Sequence, residues 1–167
     1  MPDLLIRLTK RSPLDYVLIC ERADGSTSVQ RTHGDSAKFF PFHDLAHLAV
    51  ETVLGHRLGF YGLVCDGWQL TDFTQPGTSK RLPPESVAVE ALVGLFDGER
   101  GSGQRWTATE FNDSLFSYLK NSGRDFTPRP LTDSELDRVR GEQARLTALW
   151  RELPLGETLV LSFDRPH

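Results

Sequence analysis

Two imidazoles and two carboxylates fall close together in this chain, at His43, Asp44, His47 and Glu51. Residues at i and i+4 of a helix project from nearly the same side, so His43, His47 and Glu51 can converge on one ion. Neutral imidazole nitrogens and a carboxylate oxygen are donors that a borderline cation such as zinc accepts. Glu51 then serves either as third ligand or as the acceptor that fixes a ligating histidine through its second ring nitrogen. Asp44 is the candidate general base. Held this way, Zn2+ lowers the pKa of a water to about 7, which makes metal-assisted hydrolysis or lyase chemistry the expected reaction class.

A complete site needs a further ligand or an open water position. His33, His56, Asp66 and Asp72 are the other candidates. His33-Gly34-Asp35 lies in the connection leading toward the pair. His56 is turned away by helical periodicity unless Gly55 redirects the chain. Asp66-Gly67 and His33-Gly34 also read as plain turns.

The helix that carries the pair is expected between Phe39 and Gly55, with Leu45, Ala46, Ala49, Val50, Val53 and Leu54 on its apolar face and Gly55 as its stop. Pro41 cannot sit in a helix interior without losing a hydrogen bond, so the helix is expected to begin close to it. Asp44 is alternatively the N-cap, which would leave His43 outside the helix. Before it, Leu4 to Leu8, Tyr16 to Glu21 and Ser26 to Arg31 read as an antiparallel three-stranded meander, with Asp24-Gly25 as a tight hairpin turn. Residues 55 to 83 are punctuated by glycine and read as a loop or short irregular strand held by Phe60, Tyr61, Trp68 and Phe73.

Pro84 suits a first helical turn, and an apolar helix from Glu85 to Phe96 should close at Asp97-Gly98. Thr107 with Glu110, and Thr132 with Glu135, form two capping boxes, each flanked by a hydrophobic staple (Trp106 with Phe111, Leu131 with Leu136). Leu136, Val139, Leu146, Leu149, Trp150 and Leu153 continue the last helix as an amphipathic stripe, and Pro154 and Gly156 end it. Thr158 to Phe163 is a final strand expected to join the N-terminal sheet. The order argues one α+β domain over residues 1–167: an antiparallel sheet of the meander plus the C-terminal strand, with about four helices on one face.

The bulk numbers narrow the function classes. A chain of 167 residues with 38% hydrophobic and 25% charged residues buries a core without staples. Its net charge of -4 argues against an extended nucleic-acid surface, which needs clustered Lys and Arg. Cys20 and Cys65 lie in apolar runs and read as free thiols of a reducing compartment. No basic leader precedes an apolar stretch and no apolar run reaches roughly 18 residues, so a cytoplasmic protein without a membrane partner is expected. A P-loop, GxGxxG and GxSxG are all absent.

His43-Asp44-x-x-His47 resembles the HExxH helix of zinc peptidases with Asp in place of Glu, and Asp66 falls nineteen positions after His47, near where some such families place a carboxylate ligand. Asp is a methylene shorter than the general base of those families. The same residues are similar to the HDxxH zinc motif of a ubiquinone-biosynthesis family, although the Glu found there twelve positions after the second His is Gly59 in this chain. More broadly, His43-Asp44-Leu45-x-His47-x-x-Val50-Glu51 with Gly59-Phe60-x-Gly62-Leu63 and Gly67-Trp68 resembles a group of small bacterial proteins of unassigned function. That likeness spans about a quarter of the chain and implies no activity. Two alternatives to a metal enzyme stand beside it: a non-catalytic interaction or scaffold module with structural histidines, and a small-molecule binder using the glycine and aromatic stretch 55–73.

Overall fold

The computed structural model describes residues 1–124 and 126–167. Three N-terminal strands, β1 (Leu4–Ser12), β2 (Asp15–Arg22) and β3 (Thr27–His33), are joined by tight turns, with Gly25 at φ 83° in the second. A C-terminal strand, β4 (Thr158–Phe163), pairs antiparallel with β1 and completes a sheet of order β3-β2-β1-β4. Alternation fixes one sheet face as core: Leu4, Ile6, Leu8, Tyr16, Leu18 and Cys20 are all buried. The fold is α+β, as the order of elements implies. Cys20 and Cys65 are both free, the first buried and the second half-buried.

Among the described residues, five α-helices follow β3: α1 (Ser36–Leu54), α2 (Phe60–Cys65), α3 (Pro84–Ser102), α4 (Ala108–Asn121) and α5 (Asp133–Glu152). α1 is the hub, packed against α5, α3, α2 and the sheet. It begins at Ser36 rather than near Pro41, which lies inside it. A proline in the second turn gives up a single bond to the carbonyl four residues back, and the buried ring packs in compensation. Asp44 is therefore mid-helix and not an N-cap, and the i, i+4 relation of His43 and His47 holds. Gly55, at φ 72°, ends the helix as expected.

Residues 55–83 hold more helix than the glycines suggest: α2, then two short 3-10 turns at Leu70–Thr74 and Thr78–Lys80. Arg22 clamps this segment to β2, donating to the carbonyls of Val64 (2.6 Å) and Trp68 (2.7 Å). α3 also runs past the expected stop at Asp97-Gly98 and ends at Gly103. Its extra turn is secured by Glu99, whose carboxylate accepts from Arg140 of α5 (2.6 and 3.0 Å) and from the Trp106 amide (2.8 Å). Both capping boxes are formed. Among the described residues, no helix is long and apolar enough to cross a membrane.

Candidate metal centre

α1 and α3 run antiparallel, since His43 near the start of one meets Asp97 late in the other, whereas His56 just beyond α1 meets Glu85 in the first turn of α3 (3.2 Å). Between these contacts, α1 presents His43, His47 and Glu51 along one side, each step of four residues turning the side chain a little further round, with Asp44 on the adjoining flank one residue from His43. α3 answers with Glu90 and Asp97, seven residues and two turns apart on its facing side.

The two imidazoles are held alike. The Nδ1 atom of His43 lies 2.7 Å from Asp97 Oδ2, and Nδ1 of His47 lies 3.2 Å from Glu51 Oε1. The other nitrogens face a common carboxylate: His47 Nε2 is 3.1 Å from Glu90 Oε1, and His43 Nε2 is 3.8 Å from Glu90 Oε2. One ligand atom from each of His43, His47 and Glu90 lies within 4.8 Å of the others. Ligands about 2.1 Å from a tetrahedral ion sit about 3.4 Å apart, so small rotations of Glu90 and His43 would bring these three to a divalent cation. The carboxylate behind each ring is the partner that orients a ligating histidine. His47 is sealed at 2% side-chain exposure, while Glu90 at 42% leaves one side of the cluster open.

Glu51 is fully buried, and its carboxylate also accepts from the amides of Tyr61 (3.0 Å) and Gly62 (3.2 Å) as α2 begins. This close approach explains two glycines: a side chain at 59 would overlap the Glu51 carboxylate, and one at 62 would overlap the Arg57 carbonyl. Asp44 accepts from the Tyr16 hydroxyl at 2.8 Å, and its backbone carbonyl accepts from Tyr61 (3.0 Å). Sheet, α1 and α2 are thereby tied at the base of the cluster.

Burial opposes the charge on each group. For His47 the loss of water favours the neutral ring, but Glu90 and Glu51 overcome it and raise its pKa to about 10. Asp44 is pushed up to about 6 by burial, against the Tyr16 hydrogen bond and the nearby histidines. Burial alone would raise Glu90 as well, yet the charge and hydrogen bond of His47 leave it below the usual carboxylate value. Tyr16 is raised above its ordinary value, first by burial and then by the Asp44 carboxylate.

Of the residues singled out in the sequence, His43 and His47 are brought together. Glu51 stands behind His47, hydrogen-bonded to its far nitrogen, and Glu90 faces the Nε2 atoms. Asp44 lies on the wall of the adjoining cavity. The further candidates are engaged elsewhere. His33 is exposed beside Asp15 (3.6 Å), His56 meets Glu85, Asp66 is bound by Arg165, and Asp72 caps the turn at Gln69 (2.7 Å). Sequence reasoning missed Glu90 and Asp97. The signal for Glu90 was a lone carboxylate inside the apolar run Val87 to Val93; Asp97 was read as a helix stop.

A cavity of about 600 Å³ opens onto His43, His47 and Glu90, walled by β3 and by the 3-10 turns. Comparison of the chain with protein-family models, with curated proteins and with solved structures gives no match.

Proposed function

We propose that this protein is a metal-dependent hydrolase or lyase of a small organic molecule, its divalent cation held by His43, His47 and Glu90. One observation carries the reading: both Nε2 atoms turn toward one half-exposed carboxylate at the foot of a cavity, while both Nδ1 atoms rest on separate carboxylates. Two histidines and a glutamate suit zinc with an open position, and zinc is the cation we assign first; a ferrous ion accepts the same donors. When bound, such a cation supplies Lewis acidity and a water of lowered pKa.

The chain's own residues do the rest. Asp97 and Glu51 hold the two rings in fixed tautomers. Asp44 is the proton acceptor we assign, because it borders the cavity and only its Oδ2 is hydrogen-bonded by a side chain among the described residues. In hydrolysis of an ester, the water oxygen bonds to the acyl carbon, the C–O bond breaks with its electron pair going to the alcohol, and the proton released by the water ends on that alcohol.

A second reading has its own support. Protonated His47 between Glu90 and Glu51 is a closed ion cluster that needs no metal, as a scaffold module would have. Thermal melts of tag-free protein with zinc and with chelator separate the two. Zinc at a thousand times its Kd should stabilise the wild type by about 4 kcal/mol, and His47→Ala and Glu90→Gln should lose that increment. Equal melting with and without the cation, over a panel of Zn2+, Fe2+, Mn2+ and Co2+, would leave only the scaffold reading.

A further inference from the structure

From the chemistry of the cavity walls, we infer that the ligand is a neutral molecule bearing an aromatic ring or a similar apolar body, with a carbonyl-type polar group turned toward the histidines. The side chains of the walls, taken without the cation, disfavour anionic ligands such as phosphoesters. The inference deepens the proposed metal function and uses it only for the orientation of the polar group.

Apolar side chains make up much of the wall beside the cluster: Phe40, Phe60, Leu70, Phe73 and Leu82. The rings continue without a break from the histidines, with His47 5.2 Å from Phe60 and Phe60 4.6 Å from Phe73, centroid to centroid. A flat apolar body slots against such a surface. The volume of about 600 Å³ is that of a small-molecule pocket and not of a groove for a folded partner.

Charge and hydrogen bonding narrow the class further. Arg31 is the one guanidinium on the wall among the described residues, and Asp15 holds it through two bonds of 2.7 and 3.2 Å. His33 faces the same Asp15. Glu90 and Asp44 add negative charge on the other side, so an anionic group entering the cavity meets no uncommitted side-chain cation. Two of the wall hydroxyls are spent: Thr78 Oγ1 donates to the Asp72 carbonyl (2.6 Å) or the Gln75 carbonyl (2.7 Å), and Thr74 Oγ1 to that of Thr71 (3.0 Å). The groups that remain are uncharged: the exposed hydroxyls of Ser36 and Ser79 and the half-buried Gln30, its side-chain amide without a protein partner among the described residues. Such groups hydrogen-bond a neutral polar group fully but bring no positive charge to offset that of an anion.

Equilibrium binding of three matched probes, benzamide, benzoate and phenyl phosphate, tests this through the fluorescence of Trp68, which packs on Phe73 at 5.4 Å. With metal-free protein, benzamide should bind at least tenfold more tightly than either anion, and the signal should vanish in Trp68→Phe. Leu82→Arg, which adds the missing cation at a half-exposed position, should raise phenyl phosphate affinity about tenfold. Phenyl phosphate binding as tightly as benzamide to the wild type would overturn the inference, and so would the absence of benzamide binding with and without metal. The same protein loaded with zinc is then offered p-nitrophenyl benzoate and p-nitrophenyl phosphate. Benzamide binding without ester turnover would count against the hydrolytic function and leave the ligand class standing.

Discussion

α3 carries two acidic clusters that differ in how their charge is met. Toward its C-terminal end, Glu99 is met by Arg140 in a two-pronged contact, both side chains nearly buried at 7% and 10% exposure, and Arg140 also reaches Asp137 at 3.1 Å. Earlier on the same helix, Glu90 and Asp97 join Asp44 and Glu51 around two imidazoles, with Arg100 reaching only Asp97 of the four, at 3.4 Å. The first cluster is complete within the chain. The second has four carboxylates to two neutral or singly charged rings and an open side, and a divalent cation would balance it. Buried acid in surplus beside histidine therefore separates a candidate site from a structural tie more sharply than the presence of charge alone.

The largest effect should come from the closed cluster. Glu99→Gln takes from Arg140 its two-pronged partner and leaves it Asp137 (3.1 Å) and the Trp106 carbonyl (2.7 Å), so the cost should sit at the lower end for a buried pair broken from one side, about 3 kcal/mol. Chemical denaturation should show that loss unchanged by chelator or zinc; a loss that depends on metal would erase the distinction between the clusters. Gly59→Ala drives a methyl group into the Glu51 carboxylate, and overpacking of this kind costs about 1–3 kcal/mol. Here the zinc increment should fall too, because Glu51 holds His47, and a variant that melts lower yet binds zinc normally would show that Glu51 does not position the ring.

Asp97→Asn should leave the fold nearly intact while weakening zinc binding by about 10–100-fold, measured by competition with a chromogenic chelator. Unaltered affinity would mean that the 2.7 Å contact to His43 plays no part in the site.

The smallest effect belongs to a half-buried carboxylate far from the cavity, used as a control. Arg129 and the Thr132 cap hold Glu135 down to about 2, so its contribution is full above its ordinary value of 4.5 and is lost as the pH falls toward 2. The melting difference between wild type and Glu135→Gln should shrink on acidification and ignore zinc. A gap that widens at low pH would contradict the sign.

Local chemistry explains how much of this was legible in the sequence. The Asp24-Gly25 turn, both capping boxes and the return of β4 to the sheet rest on contacts within a few residues or on strict alternation, and each formed as read. Three readings failed where tertiary packing overruled a local rule. Pro41 is tolerated inside α1, and Gly98 inside α3, where it packs beside Trp106. Gly59 and Gly62 serve a close approach to Glu51 and Arg57, not a loop. The histidine pair was visible because a helix brings i and i+4 together. Glu90 and Asp97 were not, since their meeting with the pair depends on the antiparallel packing of α1 and α3.

The grip of the Tyr61 and Gly62 amides on Glu51 gives α2 a second life as a gauge. Any pull on the His47 ring travels through one carboxylate to two N–H groups on another segment. Their proton exchange with solvent thus reads the state of the imidazole from outside the cavity, without a label near it.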